Sequence, residues 1–521
     1  MGTGYVYLVG AGPGDPGLLT LRAREVLGRA EVVIHDHLVH PEVLGWAPPE
    51  AERLAMGKTG RLHQHTQDEI NRAMVERARR GKRVVRLKGG DPAVFGRLGE
   101  EAEVLAQEGI PFEIVPGVTS ASAAAAYAGF PLTHRDLAPS VTLVTGHRRR
   151  DGGNGPRIDW EALARSSGTV AVYMGVSRLP EVVERLLRAG RDPGTPAAVV
   201  HRATWPDQRI VTGTLADIAD RVKEAGLTAP AVVFIGRVVE LRGRLAWLDR
   251  KPLFGKRILV TRAAEQAPEL SRLLREHWAE PVELPLIELR PFGHASTTDA
   301  VFRRLFAYDW IVFSSANAVR FAFRRLEALG LDARAFGAAR VCAVGPRTAE
   351  ALEARGIRPD VVPARYVAES LVEALASQTE LKGATVLIPR AREAREVIPA
   401  ELERLGARVE VVPIYENVRP ATHPPEALEA LKQGRLDMVT LASSSAARNY
   451  AELCREIGAD PDRVPCAVIG PATERTARAH GLPVVVVPER YTLRDLVAAI
   501  EGYFRGAGRR TANGRPPAAV R

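Results

Sequence analysis

The chain has 521 residues, of which 46% are hydrophobic and 26% charged, with a formal net charge of +10; domains run roughly 100–200 residues, so three or four compact lobes are expected and fibrous or disordered classes are excluded. No apolar run approaches the roughly 20 residues that span a bilayer, and the opening Met1–Tyr7 lacks signal-peptide regions, so the expectation is a cytoplasmic protein without a membrane partner. The arginines are spread through both halves with no helix-turn-helix, zinc-finger or RNA-binding pattern, which argues against nucleic acid and leaves polyanionic small molecules as a use for the charge.

In chain order, the first half alternates β-rich and helical stretches: Val6–Gly10, Leu18–Leu27, Glu31–Ile34, Asp68–Arg80, Arg83–Leu87, Gly99–Glu108 and Phe112–Val115. A second group follows with strands Val141–Thr145, Thr169–Met174, Ala197–Val200 and Ala231–Ile235, and helices Leu179–Ala189 and Leu215–Ala225. This rhythm predicts an α/β fold with largely parallel sheets. Arg148–Arg157 is Gly-rich and basic, which reads as a surface loop, and Leu245–Lys256 marks a domain boundary.

The second half contains an internal duplication. Ile258–Arg262 pairs with Val386–Arg390, Leu284–Ile287 with Val412–Tyr415, Asp309–Ala316 with Asp437–Ser444, and Ala343–Thr348 with Val468–Thr473. Each copy then leads to Pro363–Tyr366 or Pro488–Tyr491. Four matched segments in one order predict two similar α/β lobes facing a cleft. Cys342, Cys454 and Cys466 lack metal-ligand spacing and read as buried free thiols. The tail Arg505–Arg521, rich in Arg, Gly, Pro and Ala, reads as a disordered basic end.

Strand Val6–Gly10 runs into Ala11-Gly12-Pro13-Gly14-Asp15-Pro16-Gly17, a turn that lets a ligand approach the backbone. A proline follows the second glycine and no third glycine stands where a dinucleotide fingerprint needs it, so NAD is not expected. Two further loops keep it company: Arg86-Leu87-Lys88-Gly89-Gly90-Asp91-Pro92-Ala93-Val94-Phe95-Gly96-Arg97, and Val115-Pro116-Gly117-Val118-Thr119-Ser120-Ala121. Together with Gly57-Lys58 and Gln67–Asn71 they resemble the tetrapyrrole methylase family, specifically the uroporphyrinogen-III C-methyltransferases, over roughly Met1–Trp247.

That resemblance implies two α/β sub-domains, about 1–125 and 126–247, forming a trough for S-adenosylmethionine as co-substrate, within a homodimer joined through this half. The cofactor contacts it implies are Pro13, Gly89, Gly90, Asp91, Val94, Thr119, Ser120, Met174, Ala203 and Ala231. His201-Arg202-Ala203-Thr204 stands where relatives often have Glu-Asn-Gly-Thr, and Leu98 replaces a usual glycine. Asp36 matches the family's proposed proton acceptor, with a helix cap as the plain alternative. Lys58 matches its proposed donor, with a carboxylate anchor or a solvated cation as alternatives. His35 and His37 flank Asp36, but no further ligands follow and no metal is expected.

Residues 256–504, after a linker at 248–255, resemble uroporphyrinogen-III synthases through Val260-Thr261-Arg262, Phe313–Val319, Ala343-Val344-Gly345, Pro413-Ile414-Tyr415-Glu416 and Ile469–Thr473. The lobes would be about 256–288 plus 418–504, and 289–417. The resemblance implies closure of hydroxymethylbilane to uroporphyrinogen III with inversion of the last ring; the first half would then add two methyl groups to give precorrin-2. Both substrates are rich in carboxylates. Ser314, Ser315, Ser443, Ser444 and Thr473 stand at helix starts, where free backbone N–H groups favour anions and where ordinary capping is the plain alternative. Arg262 and Arg390 are candidate carboxylate partners. Tyr415 matches the tyrosine usually proposed to assist hydroxyl departure, with a structural hydrogen bond as the alternative. Two other readings stand beside these: a nicotinamide-dependent oxidoreductase for the first half, and a non-catalytic two-lobed ligand-binding module for the second.

Overall fold

The computed structural model describes residues 4–57, 65–146, 158–293, 295–363, 368–378, 380–393 and 397–511. Lys58, the loop Arg148–Arg157, Tyr366 and the tail beyond residue 511 lie outside these described residues. Internal contacts divide the chain into two compact units, Met1–Lys256 with His277–Glu280 and Phe504–Arg521, and Arg257–Glu276 with Pro281–Tyr503.

The first unit holds two sheets. Strands β1 (Tyr5–Gly10), β2 (Val32–His35), β3 (Glu52–Ala55), β4 (Arg83–Lys88) and β5 (Phe112–Val115) form an all-parallel sheet in the order β3-β2-β4-β1-β5. Val6, Leu8, Val9, Val32, Val33, Ile34, Val84, Val85 and Leu87 are buried on its two faces, which is why these strands read as continuous apolar runs. Their carboxyl ends, on one edge, open into the glycine-bearing loops. The second sheet contains β6 (Val141–Thr145), β7 (Thr169–Tyr173), β8 (Pro196–His201), β9 (Arg209–Thr214) and β10 (Ala231–Ile235) in the order β6-β7-β10-β8-β9.

Only β6 and β7 pair in parallel there; β10 is antiparallel to both β7 and β8, and β8 to β9. The expectation of largely parallel sheets is therefore corrected for this sheet. β7, β8 and β10 are covered on both faces and so mimic parallel strands in sequence, while β9, a polar edge strand, carries no such signal. The helix Ser120–Ala128 docks the sheets together. Its Ala121, Ala124, Ala125 and Ala128 pack in one core with Ala171, Tyr173, Ala198, Val200 and Phe234, and small side chains let its backbone come close.

The second unit holds two sheets of matching order. β11 (Arg257–Val260), β12 (Glu280–Glu283), β18 (Met438–Leu441), β19 (Cys466–Val468) and β20 (Val484–Val486) run β12-β11-β18-β19-β20. β13 (Glu288–Pro291), β14 (Trp310–Phe313), β15 (Arg340–Ala343), β16 (Thr385–Ala391) and β17 (Arg408–Val418) run β13-β17-β16-β14-β15. Superposing the duplicated motifs puts β11 on β16, β18 on β14 and β19 on β15, so the repeat in sequence is a repeat in topology. An isolated parallel bridge of Cys342 to Val361 stands where the first lobe has β20.

The segment 248–255 carries a short helix, Leu248–Arg250, and its Leu248 and Leu253 are fully buried. The tail expected from Arg505 is helical to Thr511, because the helix beginning at Leu493 is anchored by Leu493, Leu496, Val497 and Ile500 and no proline interrupts it before Pro516. All three cysteines are free and buried.

Candidate active sites

In the first unit the loops after β1, β4 and β5 meet at one point. Gly90 donates to the Gly12 carbonyl at 2.7 Å and Gly12 returns a bond to Gly90 at 3.2 Å. A Cβ on Gly10 would stand 2.6 Å from the Gly117 nitrogen and 2.7 Å from the Gly90 oxygen, so no side chain fits between these backbones. Gly90 itself has φ +71°, open to glycine at little cost. Asp91 staples the cluster: its carboxylate accepts from Ala93 N at 2.7 Å and Gly117 N at 3.2 Å.

The second sheet brings its own residues to the same place. Tyr173 at the end of β7 bonds Thr119 Oγ1 at 2.6 Å and accepts from Ala121 N at 2.9 Å, filling the start of the helix that carries Ser120. Thr204 Oγ1 accepts from Asp15 N at 2.9 Å, and Tyr127 donates to Asp15 at 2.6 Å. Met174 (φ +54°) stays half exposed just past β7. Ala203 lies between Arg202 (φ +44°) and Thr204 (φ +69°), and Ala231 pairs with His201 across the sheet. Such left-handed non-glycine residues store strain that the surroundings must hold, a pattern that clusters at binding sites. Pro13 is half-buried at the β1 turn, and Val94 packs on the core under the helix Ser120–Ala128. The loops after β1 and β5 are thus tied to the loop after β8 and the end of β7 through the Asp15–Thr204 and Thr119–Tyr173 bonds.

Asp36 stands one residue past β2, its N–H bonded to the Leu87 carbonyl of β4 at 3.2 Å. It caps no helix; the next helix, Pro41–Leu44, is capped by His40. Instead its Oδ1 accepts from Arg86 Nη2 at 2.6 Å. Arg86 Nε bonds Glu101 at 3.2 Å, and Lys88 Nζ bonds the same Glu101 oxygen at 2.7 Å. The side chains of Arg86, Lys88 and Glu101 are 3%, 5% and 0% exposed, against 28% for Asp36. Burial, with Arg86 nearby, pulls the Lys88 ammonium below its usual pKa. A partly exposed carboxylate is therefore backed by a buried, charge-paired cluster. Sequence reasoning missed that cluster; its signal was the two cations Arg86 and Lys88 at alternate positions near the end of a buried strand. His35 and His37 turn to the backbone carbonyls of Asp36 and Gly57 at 3.2 and 3.0 Å. Among the described residues no group of three or more His, Cys, Asp or Glu is placed to hold a metal ion.

In the second unit a cleft of about 230 Å3 lies between the lobes, lined among others by Arg262, Gln266, Asn317, Arg347, Ser443 and Tyr491. Ser315 and Ser443 are the N-caps of the helices Ala316–Ala328 and Ser444–Ile457, accepting from Ala318 N and Ala446 N at 3.1 Å each. Ser315 does more: its Oγ lies 3.1 Å from the Tyr415 hydroxyl. Tyr415 is 5% exposed, its ring stacked on Phe321 at 5.0 Å, and burial raises its pKa against the opposing pull of Ser315, Arg320 and Asn317. Ser444 donates to Ala472 O at 3.2 Å, Thr473 is buried in the helix Pro471–Ala479, Ser314 is half-buried, and Arg390 is buried at the end of β16. Of the expected residues here, Arg262 and Ser443 line the cleft. Tyr415 connects to it through Ser315 and Asn317. Gln266, Asn317, Arg347 and Tyr491 were missed, since only the closing of one lobe on the other groups them.

Two family models match this chain: Tetrapyrrole (Corrin/Porphyrin) Methylases over residues 5–219, and Uroporphyrinogen-III synthase HemD over residues 268–498. The porphyrin biosynthesis protein HemD of Ruminiclostridium josui is 36% identical over 494 residues, covering 95% of this chain and 97% of that protein. A uroporphyrinogen-III C-methyltransferase of Bacillus subtilis is 39% identical over 381 residues, 71% of this chain and 78% of that protein. A solved uroporphyrin-III C-methyl transferase of Thermus thermophilus, complexed with S-adenyl homocysteine, aligns at 43% identity with a TM-score of 0.39, covering 46% of this chain and 94% of that one. Two methylase and synthase models in tandem, and relatives matched along most of their length, place the chain in the family of tetrapyrrole-biosynthesis proteins that join a tetrapyrrole methylase to a uroporphyrinogen-III synthase.

Proposed function

We propose that the first half transfers two methyl groups from S-adenosylmethionine to uroporphyrinogen III, giving precorrin-2, and that the second half makes that substrate by closing hydroxymethylbilane with inversion of its last ring. The domain limits we assign are 1–247 and 256–504. The observation that carries the reading is Asp36, an accessible carboxylate held by buried Arg86 beside a backbone cradle from which side chains are excluded.

The residues fit an adenosyl sulfonium. The Gly10, Gly90 and Gly117 approach presents bare backbone donors and acceptors, and Thr119, Ser120, Met174, Ala203 and Ala231 would complete the trough. When bound, the sulfonium supplies an electrophilic methyl group, so alignment with an electron-rich pyrrole carbon provides much of the acceleration. This chain's part is to hold that alignment and to take the ring proton lost afterwards, which we assign to Asp36. Its ion pair with Arg86 fixes where the carboxylate points. In the synthase half the chain must hold a flexible polycarboxylate in one geometry, with Tyr415 giving a proton to the departing hydroxyl. A homodimer through the methylase half belongs to the same reading, and sedimentation of the intact chain tests it.

The test is transfer of label from methyl-labelled S-adenosylmethionine to uroporphyrinogen III, run beside NAD reduction under the same conditions. Labelled tetrapyrrole without NADH supports the reading. NADH without labelled tetrapyrrole would replace it with an oxidoreductase.

A further inference from the structure

The synthase cleft is closed by charges of a particular arrangement. The segment that opens the helix Ala267–Glu276 belongs to the first lobe and carries Glu265, Gln266 and Glu269. From the second lobe, the helix Ala316–Ala328 presents Asn317, Arg320 and Arg324, and the helix Pro346–Glu353 presents Arg347. Gln266 donates to Asn317 at 2.9 Å. Glu265 pairs with Arg320 and, at 3.8 Å, with Arg324. Glu269 pairs with Arg262 at 3.1 Å and with Arg347 at 3.7 Å. Two carboxylates therefore hold four guanidiniums, leaving the cluster two positive charges in excess.

Two of these cations, Arg262 and Arg320, are not ordinary solvated rim charges. The Arg262 side chain is 11% exposed and that of Arg320 26%. Nε and Nη2 of Arg320 are buried with no hydrogen-bond partner, and its guanidinium sits 5.1 Å from the ring of Phe321, which stacks on Tyr415. Burial lowers the pKa of both arginines, the mark of cations short of counter-charge. Unsatisfied buried donors are costly and call for an acceptor. The cleft that Arg262 and Arg347 line, about 230 Å3, is smaller than the roughly 300–1,000 Å3 of pockets that enclose drug-sized ligands, and a linear tetrapyrrole exceeds those.

We propose that Arg262, Arg320, Arg324 and Arg347 are the carboxylate-receiving array of the synthase cleft, and that Glu265 and Glu269 occupy it as internal stand-ins, latching the lobes until substrate carboxylates displace them. The proposal rests on reading this cleft as the synthase site and assigns it further specificity residues. A polycarboxylate chain exchanges with the two glutamates one ion pair at a time, so the lobes open without leaving the arginines bare. Because substrate must compete with the latch, its apparent affinity falls by the fraction of molecules held closed.

The experiment is steady-state kinetics of the intact chain with hydroxymethylbilane, with methyl transfer to supplied uroporphyrinogen III as an internal control of folding. R347Q and R320Q should each raise KM roughly tenfold, the scale of one charge-assisted bond, and added salt should narrow the difference from wild type. R347Q changes an exposed side chain, so it stands even where R320Q fails to fold. E265Q/E269Q should lower KM several-fold. An unchanged KM in R347Q, or a raised KM in E265Q/E269Q, overturns the proposal. Binding of uroporphyrin III, compared between wild type and R347Q, separates the two claims: weaker binding by R347Q in a chain without cyclase activity keeps the array and removes the synthase reading.

Discussion

The two halves handle charge in opposite ways. In the methylase half Arg86 and Lys88 are buried against Glu101, a partner on the same fold that they never have to leave, and only Asp36 faces solvent. In the synthase half Arg347 meets Glu269, and Arg320 and Arg324 meet Glu265, across a cleft between lobes, while Arg262 meets Glu269 within the first lobe. The first arrangement preorganises a single reacting group; the second can be undone and remade each time a ligand enters. This fits the chemistry proposed for each: a methyl transfer needs one fixed base, whereas ring closure needs a grip on a large flexible anion.

The sharpest break in that contrast is Asp36→Asn. It should cost roughly 10^2–10^4-fold in methyl transfer, the usual contribution of a positioned base, while S-adenosylmethionine binding by calorimetry stays near wild type. Unchanged turnover would remove Asp36 from the chemistry. Glu101→Gln comes next, since it leaves buried Lys88 without a counter-charge and buried Arg86 with Asp36 alone. A loss of about 3–5 kcal/mol is expected for breaking such a cluster from one side, read from denaturant unfolding of the first half. No comparable loss should follow Glu269→Gln, whose pairs are partly exposed and worth about 0–1 kcal/mol each.

Smaller effects probe the synthase half. Tyr415→Phe should slow ring closure at least about a hundredfold, the low end for a positioned proton donor, yet the loss of its hydrogen bond to Ser315 should cost only about 1 kcal/mol of stability. Full activity would assign the tyrosine to packing on Phe321. Ser443→Ala removes a helix cap and should cost about 1 kcal/mol. Ser315→Ala should match it in stability but also slow cyclisation, because only that serine reaches Tyr415; equal activities would make both serines simple caps.

Much of this was legible in the sequence because it is local. The Gly10–Gly14 turn, the strands around it and the four motifs that each occur twice in the second half depend on neighbours within a few residues. What escaped depends on long-range placement. That Arg86 and Lys88 of β4 are buried against Glu101 of the helix Leu98–Gln107 shows only once strand and helix are packed. The antiparallel β7-β10-β8-β9 arrangement escaped because β7, β8 and β10, covered on both faces, lose the alternation that would distinguish them. Only the approach of one lobe to the other makes Glu265 and Glu269 partners of Arg320 and Arg347.

The central claim is that one chain performs consecutive reactions, and it is tested most directly by giving the intact protein hydroxymethylbilane and S-adenosylmethionine together and identifying the tetrapyrrole formed. The account predicts a dimethylated type III product, precorrin-2. Recovery of unmethylated uroporphyrinogen I alone, the isomer of uncatalysed closure, would contradict it in both halves.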